Sequence, residues 1–130
     1  MGRDAPMRMV RRFSRDVPEI PRSRHFVSEV LERHGASATD AVLLVASELI
    51  TNAVRHGSGE VELRVLLDGD HVRLEVLDDG HASVVAPVQN PEPSALGGRG
   101  LLLVRDISRR WGSGFDTAGR TLVWAELPLG

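Results

Sequence analysis

Hydrophobic and polar positions change their period several times along the chain, and each change marks an element. Met7 to Phe13 reads as a short strand, and Pro18 to His34 as a helix entered beside prolines, carrying Phe26, Val30 and Leu31 as one buried stripe and stopped by Gly35. A second helix begins at Ser37 or Thr39 and ends at Gly57. Projected at about 100° per residue, Val42, Leu43, Val45, Ala46, Leu49, Ile50, Ala53 and Val54 fill one broad arc, with Ser47, Thr51 and Arg55 opposite. Glu48, Asn52 and His56 fall together on the border of that arc.

Beyond Gly57-Ser58-Gly59 the period becomes two. Val61, Leu63, Val65 and Leu67 alternate with Glu60, Glu62 and Arg64, which predicts a half-buried strand. Asp68-Gly69-Asp70 turns the chain, and Val72, Leu74 and Val76 form the apolar face of a returning strand, an antiparallel hairpin. The next position on that face is Asp78. A carboxylate in register with core residues is costly unless something binds it.

From His81 to Arg99 the chain has no periodicity and contains Pro87, Pro91 and Pro93, a loop of the length that usually serves as a lid or stays disordered. Gly97-Gly98-Arg99-Gly100 then opens into Leu101, Leu102, Leu103, Val104 and Ile107, a third helix expected to turn its apolar side inward. Two closing strands, near Trp111 to Asp116 and Thr121 to Leu127, are joined by a turn at Ala118-Gly119.

Composition narrows the chemistry. With 130 residues and 42% hydrophobic content the chain suits a single domain, residues 1–130 with a core of about 13–128. All 16 basic residues are arginine, so a phosphate loop that depends on lysine is excluded. The absence of cysteine excludes thiolate metal sites, disulfides and cysteine nucleophiles. A net charge of -2 argues against direct nucleic-acid binding, although residues 1–34 are basic, and the cluster Arg8, Arg11, Arg12 and Arg15 is assigned no function. No apolar run reaches the length of a membrane span and no signal peptide is recognisable, so a cytoplasmic protein without membrane contact is expected.

Three features converge: Glu48 and Asn52 one turn apart on a helix, Asp78-Asp79-Gly80 ending a buried strand, and a glycine-rich turn opening a helix after a long loop. In order and context, the strings Ser47-Glu48-Leu49-Ile50-Thr51-Asn52-Ala53-Val54-Arg55-His56-Gly57, Val76-Leu77-Asp78-Asp79-Gly80 and Gly98-Arg99-Gly100-Leu101-Leu102-Leu103-Val104 resemble the ATP-binding fold of the GHKL superfamily. Within it the chain is most similar to the small bacterial anti-sigma-factor serine/threonine kinases. Gly119-Arg120-Thr121 resembles the last box of that family, whose threonine lies near the adenine. One departure is Ala82, where the superfamily usually has a second glycine after Gly80. A dinucleotide-binding reading of Gly98-Arg99-Gly100 fails, because that motif directly follows the first strand of a βαβ unit.

The resemblance implies a Bergerat-type α/β fold: a two-layer sandwich with helices on one face of a mixed, mostly antiparallel sheet, and an ATP lid over residues 81–99. It implies ATP and Mg²⁺ as cofactors. Asn52 offers an amide oxygen to the metal, and Glu48 is placed to accept a proton from the attacking hydroxyl or water. Asp78 would accept the adenine amino group beside Gly80, and the amides of Gly98 to Leu101 would face the phosphates at a helix N-terminus, with Arg99 as an added cation. Thr121 and His56 complete the candidate set, His56 being equally explained as a helix-end residue satisfied locally. The implied partners are a sigma factor, which the protein sequesters, and an anti-anti-sigma (STAS-type) protein, which it phosphorylates; a homodimer is also expected from the family. A non-catalytic, nucleotide-liganded binding module stands as the alternative.

Overall fold

The computed structural model describes residues 6–36, 39–80 and 99–129. Strand β1 (Met7–Phe13) leads into helix α1 (Glu19–Arg33), helix α2 (Asp40–His56) and the hairpin of β2 (Val61–Asp68) and β3 (His71–Asp78). Helix α3 (Arg99–Ile107) precedes strands β4 (Arg110–Phe115) and β5 (Thr121–Pro128). The strands form one sheet in the order β1-β2-β3-β5-β4. All four pairings are antiparallel, so among the described residues the sheet is wholly antiparallel where a mixed one was expected. No helix is long and apolar enough to cross a membrane among the described residues.

Local chemistry explains the boundaries. Helix α1 ends in a Schellman arrangement: Gly35, at φ 75°, donates to the Glu32 carbonyl and Ala36 to that of Leu31, while Ala36 is buried. Helix α2 is capped by Thr39, whose hydroxyl oxygen accepts from the Val42 amide at 3.2 Å; the alternative start, Ser37, lies outside the described residues. Gly69, at φ 60°, makes the tight turn between β2 and β3.

The inner face of the sheet carries Leu63, Val65, Val72, Leu74, Val76, Val123, Ala125 and Leu127, all buried. Helix α2 lies across β2, β3 and β5 and is flanked by α1 and α3. It presents Val42, Val45, Ala46, Leu49, Ile50 and Ala53 to that face, the arc its sequence defines. Helix α3 departs from expectation. Among its described side chains Val104 alone is fully buried, with Ile107 packed partly against the core, whereas Leu102 and Leu103 are exposed. The physical reason is geometric: successive helical residues point about 100° apart, so Leu102, Leu103 and Val104 cannot share one face.

The outer face is a lattice of ion pairs. Glu62 meets Arg64 at 2.6 Å, Arg120 at 3.0 Å and Arg12 at 3.4 Å, and Arg73 bridges Glu75 at 2.7 Å and Glu126 at 2.9 Å. Burial alone would raise the Glu62 carboxyl, but the Arg64 and Arg120 guanidiniums outweigh it and hold the group below the ordinary glutamate range. Arg73 also stacks 4.1 Å from the centroid of the Trp124 ring, so Trp124 packs on this outer layer while Trp111 sits in the core.

Candidate functional site

Asp78 is the last residue of β3, lies on the inner face opposite Thr121 of β5, and is only 6% exposed. Its environment is built of backbone. Asp78 Oδ1 accepts the Gly80 amide at 2.6 Å and the Ser58 amide at 3.4 Å, and the Asp79 amide donates to the Ser58 carbonyl at 2.8 Å. These bonds tie the end of β3 to the segment leaving α2. Burial raises the Asp78 carboxyl above its ordinary range, and the two amides together with the charge of Arg15 offset only part of that rise.

Two glycines make room for the carboxylate. A Cβ at Gly57 would stand 2.4 Å from Asp78 Cγ and 2.5 Å from Oδ2, and one at Gly80 would stand 2.6 Å from Oδ1 and 3.3 Å from Thr121 Oγ1. Neither glycine has a positive φ, so close approach and not backbone conformation demands them here. The Thr121 hydroxyl donates to the Gly80 carbonyl at 2.9 Å and so fixes the turn after β3 from the neighbouring strand.

Helix α2 runs from this carboxylate toward Asn52 and Glu48. Glu48 lies nine residues before Gly57, about 13 Å along the helix axis. Glu48 and Asn52 are half-buried on successive turns. The Asn52 Oδ1 atom is buried and has no hydrogen-bond partner among the described residues. An unsatisfied buried amide oxygen costs about 1–3 kcal/mol, and an oxygen donor of this kind fits a hard divalent cation. Among the described residues no cluster of three or more His, Cys, Asp or Glu side chains is arranged to hold a metal by itself.

The structure thus brings Asp78, Gly80 and Thr121 into direct contact and sets Asn52 and Glu48 along the same helix. His56 is exposed in the last turn of α2, at the Asp78 end and two turns from Glu48. Arg99, Gly100 and Leu101 open α3, which packs beside α2. Gly98 and the lid expected over residues 81–99, up to residue 98, lie outside the described residues, as do the side chains of Arg99 and Leu101. Sequence reasoning missed two members of the site. Gly57 signals only a helix stop in sequence, yet it forms the wall behind Asp78. Arg15 belongs to a cluster that read as a solvated run, and nothing in the sequence separates it from its neighbours.

A five-stranded antiparallel sheet covered on one side by helices, with a buried aspartate at the end of the third strand beside the end of the central helix, defines a two-layer α/β class of fold. Residues 13–125 match the family described as the histidine kinase-like ATPase domain, and the chain belongs to that family. A search of curated protein sequences finds no match. Among solved structures, the chain is similar to the RsbU and RsbW domains of Rv1364c from Mycobacterium tuberculosis, at 21% identity and a TM-score of 0.65. The similarity covers 96% of this chain and 32% of that one, so the chain spans about a third of the length of that protein.

Proposed function

We propose that this protein binds ATP along α2 and acts as an anti-sigma-factor serine/threonine kinase, phosphorylating an anti-anti-sigma (STAS-type) partner and sequestering a sigma factor. The observation that carries the reading is the unpaired, buried Oδ1 of Asn52, one helical turn from Glu48, on the helix whose end abuts Asp78. A buried oxygen left without a partner in this way is open to a group that a bound ligand or ion brings. The RsbW-like neighbour supports the anti-sigma side of the reading at the level of fold.

In this reading the Asp78 carboxylate accepts the exocyclic amino group of adenine, and the space kept open by Gly57 and Gly80 lets the ring approach. Asn52 would hold Mg²⁺, which would neutralise phosphate charge when bound. Glu48 takes the proton from the attacking serine or threonine hydroxyl as its oxygen bonds to the γ-phosphorus and the bond to the bridging oxygen breaks, leaving ADP. Gly98 to Leu101, at the N-terminus of α3, donate amides to the phosphates, with Arg99 as an added cation, and Thr121 orders the adenine end through Gly80. His56 borders the same end of the helix.

The test is phosphate transfer from ATP to candidate anti-anti-sigma proteins. Transfer that disappears in Glu48→Gln while ATP affinity survives supports the kinase. Tight partner capture that depends on nucleotide, with no transfer in the wild type, establishes the non-catalytic module instead.

A further inference from the structure

The C-terminal end of α2 presents an electrostatic problem that the proposed site must solve. Helix carbonyls at that end carry a partial negative charge, and Gly57, which follows them, lies against the nearly buried carboxylate of Asp78, with a second one, Asp79, next to it in sequence. The Gly57 amide satisfies the Ala53 carbonyl, leaving the carbonyls of the last turn in need of donors. Arg15, from the connection between β1 and α1, fills the gap. Its Nη2 donates to the Val54 carbonyl at 2.6 Å, and its Nε is buried with no partner among the described residues.

We propose that Arg15 is a positioning residue of the nucleotide site: bonded to the Val54 carbonyl, it supplies the cation that lets Asp78 stand charged and aimed at the end of α2. This rests on the ATP-binding reading and adds to it the residue that keeps the adenine acceptor in its working form. Three observations converge on it. The guanidinium occupies the helix end at which Gly57 touches Asp78. Beyond its burial and the Gly80 and Ser58 amides, Asp78 feels the charge of Arg15, which favours its ionised form, and that of Asp79, which opposes it, with the exposed His56 the other titratable side chain at this end of α2. Finally, a guanidinium with one donor committed to a carbonyl and Nε buried is held by the fold, and Arg15 is less exposed than Arg8, Arg11 and Arg12.

The sign of the effect is fixed. An ionised Asp78 accepts the amino group, whereas a protonated one presents a hydrogen to it. Without the Arg15 charge, protonation invades from the acid side, so ATP binding weakens as pH falls. The test is calorimetric titration of Mg·ATP into the full chain from pH 5.5 to 8.5 for wild type, Arg15→Met and Arg15→Lys, with melting curves as controls. In the wild type affinity holds further toward acid pH than in Arg15→Met, whose affinity declines progressively as pH falls across the range, and Arg15→Lys restores the wild-type profile. A ¹³C titration of the Asp78 carboxyl carbon in ligand-free wild type and Arg15→Lys, against Arg15→Gln, reads the same charge without ATP; only Arg15→Gln should titrate at higher pH. Equal loss of affinity at every pH in Arg15→Met, or an Asp78 titration that ignores Arg15, overturns the proposal. Failure of the wild type itself to bind ATP overturns the nucleotide reading, and the ¹³C titration still decides the role of Arg15.

Discussion

Gly57→Ala is the substitution that most directly probes how the site is built. Its added Cβ would stand 2.4 Å from Asp78 Cγ, 2.5 Å from Oδ2 and 2.6 Å from Oδ1, separations that real carbon atoms do not adopt. The backbone there is at φ -92°, which alanine accepts freely, so the whole effect comes from the clash. Asp78 cannot simply swing aside. Its side chain is short and nearly buried, and moving it breaks the 2.6 Å bond from the Gly80 amide. Forcing one methyl into a packed contact costs about 1–3 kcal/mol. At about 4 °C of melting temperature per kcal/mol for a chain of this size, the expected drop is about 4–12 °C. Because the carboxylate is displaced as well, ATP affinity should fall by about tenfold or more, equivalent to about 1.4 kcal/mol. Thermal melts and ATP titration on one preparation read both numbers. A melting temperature within about 1 °C of wild type, with unchanged affinity, would refute the contact between Gly57 and Asp78.

Three further outcomes follow from the structure. Asn52→Ala removes a buried oxygen that has no partner, so the ligand-free protein should melt at or above the wild-type temperature while Mg²⁺-dependent ATP binding is lost; a destabilised variant would show that Asn52 is structural. Glu62 is held below its ordinary range by Arg64 and Arg120, so the stability it contributes is present above the unfolded-state titration and is lost as pH falls through the lower, folded-state one. Acid unfolding of wild type should therefore be steeper below about pH 4.5 than that of Glu62→Gln, and the variant should be less stable at pH 7 by about 1–3 kcal/mol in denaturant melts. Gly112→Ala would put a Cβ 2.9 Å from the Trp124 ring that carries Arg73, and should lower stability by about 1–3 kcal/mol with a changed Trp fluorescence; an unmoved spectrum would contradict the packing.

Much of this architecture is legible in the sequence because its signals are strong and local. The period-two runs from Val61 and Val72 fix the hairpin register, and that register alone carries Asp78 onto the inner face. The arc of α2 emerges from its spacing, as does the adjacency of Glu48 and Asn52. What sequence conceals is tertiary. The run Leu101 to Val104 looks uniformly apolar, but only the packing of α3 against α2 decides that Val104 is buried and Leu102 exposed. Gly57 as a wall for Asp78, and Arg15 as a donor to Val54 across 39 residues of sequence, depend on long-range approach that no local pattern encodes. The antiparallel insertion of β5 between β3 and β4 is likewise a matter of topology.

The most direct test of the central claim is calorimetric titration of Mg·ATP into wild type, Asn52→Ala and Asp78→Asn. Asp78→Asn keeps the shape but exchanges an acceptor for a donor at the proposed adenine contact. Micromolar binding by the wild type that both substitutions abolish is the predicted result. No binding at millimolar nucleotide, or affinity that neither substitution changes, would contradict an ATP site between α2 and the end of β3.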